Sequence, residues 1–209
     1  MPGGIRLEDN ALSLFSKDKK TKQEEQVKLT GPQKIVEYLR DIIAVFVIFL
    51  IVYMLLFRVV VVDGDSMNNT LYDGDRLILL SSSVYRNPEP GDIVVCSMQD
   101  FDGGRCIVKR VIAVEGQKVR IINNMVLVDN VPLDEPYAVG DTLAPTEQEV
   151  TVPEGCVFVM GDNREYSLDS RNLGFIDKRE IVGKVIFLLV PGPETGRGES
   201  DSGRIGTVD

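Results

Sequence analysis

The sequence contains no histidine, and this absence excludes several kinds of active site at once. A Ser-His-Asp or Cys-His arrangement needs an imidazole as its general base, and a His-based metal site needs the same side chain as a ligand. If the chain catalyses acyl transfer, another group must accept the proton of the nucleophile. Lysine is the main candidate, because it becomes a base when its pKa is lowered.

Cysteine is scarce, with three residues in the chain. No Cys-x-x-Cys pair occurs, so neither thioredoxin-like redox chemistry nor zinc-ribbon spacing is indicated. Cys96 and Cys106 flank a predicted hairpin, where they could form a disulfide outside a membrane or remain two free buried thiols. The sequence leaves both alternatives open, and Cys156 stays unpaired in either case.

Positive charge is in deficit, since 32 acidic residues outnumber 23 basic ones and the net charge is −9. A nucleic-acid-binding protein would show a basic patch or stripe, so no nucleic-acid partner is expected. The 209 residues allow one domain of ordinary size plus appended segments. We also expect no cofactor and no metal.

One long apolar run stands in the first third of the chain. Residues 42–57 (IIAVFVIFLIVYMLLF) contain no charge, and with Arg58 reaching outward and the valines 59–62 following, the run approaches the ~20 residues that cross a bilayer. A cleaved signal peptide fits poorly, because the run starts late and no small-x-small site follows it. The run therefore predicts a transmembrane helix over residues 39–62 that acts as an uncleaved anchor.

The distribution of basic residues predicts the orientation of this anchor. Lysine or arginine occupies positions 17, 19, 20, 22, 28, 34 and 40 before the run, whereas after Arg58 the next basic residue is Arg76. The positive-inside rule then places residues 1–38 in the cytoplasm as a polar, basic tail, and the catalytic domain, residues 63–190, outside the cytoplasmic membrane. Residues 17–26 are predicted to be disordered or loosely helical, and residues 191–209, rich in glycine, serine and charge, to be a disordered tail.

The region after the anchor is predicted to be mainly β. Short β-branched runs alternate with turn signals such as Pro-Glu-Pro-Gly, Asp-Gly-Gly and Asn-Asn, and no convincing amphipathic helix follows the anchor. The predicted strands cover residues 76–80, 92–96, 107–114, 118–122, 125–128, 156–160 and 182–189. The expected fold is an antiparallel β catalytic domain with one N-terminal transmembrane helix.

Three segments carry candidate chemistry. In residues 62–71 (VDGDSMNNTL), Ser66 follows a β run in a turn that could expose its hydroxyl, although the same residues could form a solvated polar turn. In residues 107–116 (IVKRVIAVEG), Lys109 either points outward from its strand or lies in an apolar site with a lowered pKa. Residues 159–174 (VMGDNREYSLDSRNLG) pack many hydrogen-bonding groups between two apolar stretches, which suits either a site or a polar turn network.

Together, GDSM at 64–67, KRVI at 109–112 and GDNRxxSxDSR at 161–171 resemble the bacterial type I signal peptidases. The resemblance runs from the apolar span to about Leu189, and the single span with Gly64 is similar to the Gram-positive members. It implies a membrane-anchored serine endopeptidase of signal-peptidase-like β fold, which removes signal peptides from secreted preproteins through a Ser-Lys dyad. The implied partners are signal peptides and the lipid bilayer.

The resemblance also implies a role for each matching residue. Ser66 would be the nucleophile, Lys109 the general base, and Ser167 the hydroxyl that hydrogen-bonds and orients the Lys109 amine. Asp169 would pair with Arg171 and also with Arg110. The further supporting residues are Gly64, Asp65, Met67, Gly161, Asp162, Asn163 and Arg164.

At two positions this chain has a different residue from other members of the family. Gram-negative members have a serine two positions before the nucleophile that assists the oxyanion hole, whereas this chain has Gly64, so the hole would rely on backbone donors that include the Ser66 amide. The family motif Ser-Met-x-Pro-Thr-Leu has a proline where this chain has Asn69. Asparagine tolerates turns well, so we expect a modest loss of rigidity rather than a loss of activity.

The family binds its substrate as an extended strand beside two backbone segments. The implied substrate-binding residues here are Val60, Val61, Val62, Cys106, Ile107 and Val108. Shallow pockets would select small residues, typically alanine, one and three positions before the cut.

Two other functions are compatible with parts of the sequence. A Ser-Lys self-cleaving repressor has a related β domain, but it would carry a helix-turn-helix and a basic face in place of the membrane span. A membrane-tethered β-domain with a degenerate site could act as a scaffold, and the intact set of Ser66, Lys109 and Ser167 argues against it. Labelling of Ser66 by a serine-reactive acylating inhibitor would distinguish an enzyme from a scaffold.

Overall fold

The computed structural model of the chain describes residues 31–98, 105–144, 148–192 and 205–208. Its contacts divide the chain into two compact units, Met1–Leu50 and Ile51–Asp209. Within the described residues, one helix is long and apolar enough to cross a membrane. This helix, α1, spans Gly31–Leu56, and its apolar part, Lys34–Leu56, is not buried by the rest of the protein. The predicted tail segment 17–26 lies outside the described residues.

The anchor helix begins and ends earlier than the predicted range of 39–62. Pro32 stands in its first turn, where a proline is tolerated because its missing N–H has no partner within the helix. The helix ends at Leu56 because the following β-branched residues pair as a strand, Phe57–Val61, instead of extending the helix. The predicted assignment of residues 57–62 to the membrane helix is therefore wrong.

The second unit contains two antiparallel sheets. Its strands are β1 Phe57–Val61, β2 Arg76–Ser81, β3 Ile93–Ser97, β4 Cys106–Val114, β5 Lys118–Ile122, β6 Met125–Val128, β7 Val131–Pro132, β8 Val150–Thr151, β9 Cys156–Met160, β10 Ile176–Asp177 and β11 Ile181–Val190. A seven-stranded sheet has the order β1-β2-β11-β3-β4-β9-β10, and a four-stranded sheet has the order β7-β6-β5-β8. A four-residue helix, α2 (Ser170–Leu173), and a 3-10 turn (Lys178–Glu180) complete the described elements.

The mainly antiparallel β fold with one N-terminal apolar helix confirms the predicted fold class. Three strands, β5, β6 and β9, match their predicted bounds; β2 and β4 differ by one residue at one end, and β3 and β11 differ by one residue at each end. β1, β7, β8 and β10 were not predicted. Turns with positive φ values at Gly116, Asn123, Asn124 and Gly155 stand next to ends of the predicted strands β4, β5, β6 and β9.

A cluster of buried apolar side chains supports the turn that contains Ser66. Val62, Met67 and Leu71, which bracket that turn, pack with buried residues of three strands of the seven-stranded sheet, β2, β3 and β11. The other members of this cluster, called the nucleophile-side core here, are Leu77, Leu79, Ile93, Val95, Val185 and Leu188. Because its ends are buried, the polar turn between them is held at a fixed place on the sheet.

Residues 205–208 lie against the seven-stranded sheet, which corrects the prediction of disorder for this part of 191–209. The Leu188 N–H donates to the Gly206 carbonyl at 2.8 Å, and the Gly206 N–H donates back at 3.3 Å. Val208 packs on the nucleophile-side core. Residues 193–204 and 209 lie outside the described part of the chain.

The two hairpin cysteines do not face each other. Cys106 stands opposite Ser97 in the β3–β4 register, whereas Cys96 stands opposite Ile107. Since neighbouring residues of a strand point to opposite faces, the Cys96 thiol is buried while Cys106 is exposed. Both thiols are free, and so is Cys156.

Candidate active site

The turn that carries Ser66 is closed by backbone hydrogen bonds on both sides. The Val62 N–H donates to the Asp75 carbonyl, and the Gly74 N–H donates to the Val62 carbonyl, both at 2.9 Å. Gly64 has a φ of 95°, a conformation that glycine adopts without strain, and its N–H donates to the Asp73 carboxylate. Ser66 follows with a partly exposed side chain.

Lys109 lies on β4 with its amine directed at Ser66. Its Nζ is 2.6 Å from the Ser66 Oγ and donates a second hydrogen bond to the Val108 carbonyl at 2.9 Å. Only 3% of Lys109 is exposed. The structure thus places the two predicted dyad residues in direct contact, and it favours the buried alternative for Lys109 over the outward-pointing one.

Burial lowers the pKa of Lys109 to about 8, because removal from water disfavours the ammonium form. The negative charges of Asp169 and Asp162 oppose this shift, and the positive charge of Arg171 adds to it. With this pKa, roughly a tenth of the amine is neutral at pH 7. A neutral amine next to a hydroxyl can accept its proton, as a general base must.

The lowered pKa predicts how activity depends on pH. If Lys109 accepts the Ser66 proton, as the resemblance implies, only the neutral amine can do so, and kcat/KM is expected to rise about tenfold per pH unit below the pKa and to level off above about pH 8. A normal lysine would place this transition near its usual value of 10.5. Initial rates at low substrate concentration between pH 6 and 10 test this expectation, and a rate that is flat across this range contradicts it.

The third polar segment, residues 159–174, binds the backbone of the turn that carries Ser66, which we call the nucleophile turn. The Asn163 N–H donates to the Ser66 carbonyl at 3.1 Å, and its side-chain amide donates to the Asp65 carbonyl at 3.0 Å. Gly161 lies so close that an added Cβ would be 2.4 Å from the Ser66 carbonyl oxygen and 2.3 Å from the Ser167 Oγ. These contacts fix the orientation of the Ser66 peptide group.

The buried arginine on β4 pairs with Asp162 and not with Asp169, which corrects the predicted pairing. The Arg110 guanidinium makes a bidentate contact with the Asp162 carboxylate, at 3.0 and 2.9 Å. The same carboxylate accepts the Thr70 hydroxyl at 2.5 Å. Asp162 therefore joins β4 to the end of the nucleophile turn, and Thr70 is a supporting residue that the sequence prediction did not single out.

Asp169 pairs with Arg171, as predicted. The Arg171 side chain donates to both oxygens of Asp169 at 2.9 Å, and the Gly161 N–H donates to the same carboxylate at 3.0 Å. Burial alone would raise the pKa of Asp169, but these hydrogen bonds and the positive charge outweigh it and hold that pKa below its usual value. The carboxylate stays ionised and anchors the third segment next to the dyad.

Ser167 does not make its predicted hydrogen bond to Lys109. The two hydrogen bonds of the Lys109 amine go to Ser66 and Val108, and the buried Ser167 Oγ has no hydrogen-bond partner among the described residues. The hydroxyl lies near enough to the Asp169 carboxylate to lower its pKa, but without the geometry of a hydrogen bond. Its side chain instead packs against Gly161.

Arg164 binds a loop that the sequence prediction did not connect with the site. This side chain is buried and donates to the Glu135 carboxylate at 2.6 and 3.1 Å and to the Thr142 hydroxyl at 3.0 Å. Tyr137, on the same loop, places its ring 4.0 Å from the Arg110 guanidinium. A buried arginine needs an acidic partner, and this requirement was the only indication of the contact in the sequence. It does not identify which of the many carboxylates is the partner.

Asn69 has a φ of 94°, which explains how this chain does without the family's proline. A proline ring fixes φ near −65°, so proline cannot adopt this conformation, whereas asparagine visits it more readily than most residues. The Asn69 side chain also donates to the Tyr137 carbonyl at 3.2 Å. The expected loss of rigidity is therefore offset by a hydrogen bond between two loops.

Asn69→Pro is accordingly expected to destabilise the Ser66 turn, although it restores the motif of the family that the sequence resembles. The turn must change its backbone conformation, which should lower the free energy of unfolding by about 1–3 kcal/mol and reduce kcat. Asn69→Gly keeps the positive φ and loses only the hydrogen bond, so it should retain more activity than the proline variant. Urea unfolding and turnover of both variants test this order, and equal or better performance of Asn69→Pro refutes it.

The predicted substrate-binding residues lie along two strand edges. β1 is the outermost strand of the seven-stranded sheet, so its second edge has no partner strand among the described residues. β9 pairs with β4 only between Arg110 and Val114, which leaves Cys106, Ile107 and Val108 without a partner strand on that side. Val60 and Val108 both pack on the nucleophile-side core, and Val61 points outward.

The described residues contain no group of three or more histidine, cysteine, aspartate or glutamate side chains placed to hold a metal ion. The charged groups around the dyad bind one another instead, as the pairs Arg110–Asp162, Arg164–Glu135 and Arg171–Asp169 show. What the arrangement offers chemically is therefore a hydroxyl and a desolvated amine in hydrogen-bond contact.

Comparison with known proteins identifies the family. Residues 35–190 match the family described as "Signal peptidase, peptidase S26". A probable signal peptidase I-1 of Synechocystis sp. is 39% identical over 146 residues, which cover 65% of this chain and 72% of that protein. The signal peptidase I of Bacillus licheniformis is 36% identical over 166 residues, with 74% and 88% covered.

A crystal structure of a signal peptidase I from Enterococcus faecalis is similar at 29% identity and a TM-score of 0.40, covering 47% of this chain and 96% of that one. The family match and the relatives confirm the resemblance to the signal peptidases, including Gram-positive members. With its candidate membrane helix the protein is membrane-anchored. The chain belongs to the signal peptidase family, peptidase S26, and is a serine endopeptidase.

Proposed function

We propose that this enzyme is a type I signal peptidase that cleaves preproteins through an acyl-enzyme, with Ser66 as nucleophile and Lys109 as general base. The observation that carries the proposal is the 2.6 Å contact between the Ser66 Oγ and a buried amine, a larger fraction of which is neutral, and so able to accept a proton, at neutral pH than for a normal lysine. The absence of histidine leaves lysine as the base that the described geometry offers.

The chemistry follows from this geometry in two steps. Neutral Lys109 takes the proton as Ser66 attacks the scissile carbonyl, and the resulting ammonium then protonates the leaving amine to give the acyl-enzyme and the new N-terminus. Neutral Lys109 next removes a proton from a water molecule, which attacks the ester. The resulting ammonium returns a proton to the Ser66 Oγ as the ester bond breaks, which releases the signal peptide and restores the enzyme. The Ser66 N–H donates no hydrogen bond to the described residues, so it is free to bind the oxyanion in both steps.

The free strand edges support an extended substrate. A signal peptide lying between residues 60–62 and residues 106–108 would gain main-chain hydrogen bonds from the open edges of β1 and β4. Val62 would support the site from the core, because its N–H and carbonyl already bind Asp75 and Gly74. The apolar side chains facing it there, Val60 and Val108, rest on a tightly packed core that leaves little depth for a pocket. Such shallow pockets suit alanine or another small residue one and three positions before the cut.

The anchor explains where the reaction takes place. Ser66 follows Arg58 by eight positions, and an extended chain spans at most ~3.5 Å per residue, so the nucleophile lies near the membrane surface. We propose that the residues before α1 lie in the cytoplasm and that residues 63–190 lie outside the cytoplasmic membrane, where the cleavage site of a translocated preprotein emerges. Signal peptides and the bilayer are then the partners of the enzyme.

Cleavage of a purified preprotein by the detergent-solubilised full chain tests the function. The wild type is expected to release the mature N-terminus after a small-x-small site, and Ser66→Ala is expected to release none. Ser83→Ala serves as the control, because Ser83 is an exposed serine of the loop after β2. Full activity of Ser66→Ala would show that Ser66 is not the nucleophile, and an inactive wild type would leave the membrane-tethered scaffold as the better explanation.

A further inference from the structure

Four large apolar side chains are exposed on the two loops that embrace the nucleophile turn. Val139 and Leu143 are 46% and 71% exposed on one loop, and Tyr166 and Leu168 are 73% and 51% exposed on the other. We call these four residues the outer patch. Scattered exposed apolar residues need no explanation, but four of them around one catalytic turn indicate a contact surface.

Both loops are fixed relative to the Ser66 turn. The Val139 N–H donates to the Asp162 carbonyl and its carbonyl accepts the Arg164 N–H, each at 2.8 Å. Arg171 donates to the Leu143 carbonyl at 3.1 Å. Since Asn163 in turn binds the Ser66 carbonyl, the outer patch is connected to the nucleophile by a short run of hydrogen-bonded backbone.

Tyr166 and Leu168 flank Ser167. The buried Ser167 Oγ lies against Gly161, while the side chains of its two neighbours are exposed. In an extended peptide, successive side chains point to opposite sides, and side chains two positions apart share a side at a spacing of roughly 7 Å. Two residues of such a peptide could therefore contact Tyr166 and Leu168 together.

The direction of the strands says which part of a substrate reaches the outer patch. Each neighbouring pair from β1 through β2, β11 and β3 to β4 is antiparallel, so β1 and β4 run in the same direction. Both run toward the dyad, since Ser66 follows β1 and Lys109 lies after residues 106–108. A substrate whose residues before the cut lie along these strands must continue past the dyad, and the third polar segment is bound to the Ser66 turn at that point through Asn163.

We propose that Tyr166 and Leu168, with Val139 and Leu143, bind the first residues of the mature protein, immediately after the scissile bond, through apolar contacts. This inference rests on the proposed function of the same site. The surface is open, so it adds affinity for apolar side chains without demanding any one residue. A bilayer is a poorer occupant, because the exposed carboxylates of Asp65, Asp141 and Glu165 border the patch and would be driven against lipid headgroups.

Comparison of two peptide substrates of different length separates the effect of this contact from other effects of the substitutions on activity. Both carry the same small-x-small signal sequence, but the long one continues for five residues after the cut with apolar side chains, and the short one ends in a fluorogenic amide there. Tyr166→Ala combined with Leu168→Ala is expected to raise KM for the long substrate by about three- to tenfold. The short substrate cannot reach the patch, so its kcat/KM should change by less than about twofold.

Met125→Ala combined with Val131→Ala is the matched control, because these side chains are similarly exposed but belong to the four-stranded sheet. This control variant should leave KM for the long substrate and kcat/KM for the short substrate unchanged. Equal losses on the long and short substrates would overturn the proposal and indicate a structural role, and so would a loss that appears only when lipid vesicles are present. If the wild type cleaves neither substrate, the proposed function itself fails, which is a different outcome.

Discussion

Lys109→Met is expected to lower kcat/KM for preprotein cleavage by at least about a thousandfold, because general-base and nucleophile activation together account for changes of this size. Methionine has a similar length and no basic nitrogen, so the Ser66 hydroxyl keeps its place but loses the group that accepts its proton. Lys118→Met is the control, since Lys118 is half exposed and pairs with Glu149 on the four-stranded sheet. It should retain wild-type turnover.

The Lys109→Met variant is also expected to have a free energy of unfolding at least as large as that of the wild type at pH 7. Burial lowers the pKa of Lys109 from 10.5 to about 8, and a shift of this size corresponds to roughly 3 kcal/mol of destabilisation when the amine is charged. The loss of two hydrogen bonds, to Ser66 and Val108, offsets part of the gain from removing that charge.

The sign of the pH effect follows from proton binding. Between about pH 8 and 10.5 the unfolded chain holds the Lys109 proton and the folded chain does not, so wild-type stability rises with pH across this window through Lys109. The methionine variant lacks this contribution, and its advantage should shrink as the pH rises. Urea unfolding of both proteins at pH 7 and pH 10 measures the difference. An active variant, or one that is much less stable at pH 7, contradicts the assignment of Lys109 as a desolvated base.

Most strands could be predicted because their signals are local. β5 and β6 alternate buried and exposed positions, and the turn between them contains two asparagines with positive φ, which fixes both strand ends. β1 could not be predicted in this way, because its valines continue the apolar run of the anchor without any change in polarity. Only the pairing of β1 with β2 decides that these residues form a strand.

The contact between Ser66 and Lys109 could be predicted, and so could the Asp169–Arg171 pair, but the partners of Arg110 and Arg164 could not. Ser66 and Lys109 each stand in a short motif, and a lysine within a β-branched run is unusual enough to attract notice. The partner of Arg110 depends on which of two carboxylates, Asp162 or Asp169, faces β4, and those two lie seven positions apart in one polar segment. Such a choice depends on the path of the turn in three dimensions, which residue types alone do not encode.

Asn69 shows a different limit of sequence reasoning. If the backbone conformation is assumed to be that of the family, replacement of the motif's proline by Asn69 predicts a less rigid turn. Here the backbone takes a positive φ that the family's residue could not adopt, and the new side chain gains a hydrogen bond to the Tyr137 carbonyl. The substitution and the conformation must therefore be considered together.

Gly161→Ala is expected to reduce kcat about a hundredfold, because the nucleophile must be held to within about 1 Å of its productive position. The new Cβ would stand 2.4 Å from the Ser66 carbonyl oxygen and 2.3 Å from the Ser167 Oγ, so at least one of them must move. The Ser66 carbonyl is also the acceptor of the Asn163 N–H, and its displacement would break that contact. Overpacking of this kind should also lower the free energy of unfolding by about 1–3 kcal/mol.

Gly206→Ala is the matched control for this substitution. Gly206 also lies in the second unit and has no positive φ, but a Cβ there would meet no heavy atom within 4 Å, so both stability and kcat should stay unchanged. Adding Ser167→Gly to Gly161→Ala removes the closest side-chain contact but leaves the clash with the Ser66 carbonyl. The double variant should therefore recover part of the lost stability and little of the lost kcat. If kcat recovers together with stability, the loss of kcat comes from the clash with Ser167. In that case Gly161 does not position the nucleophile directly.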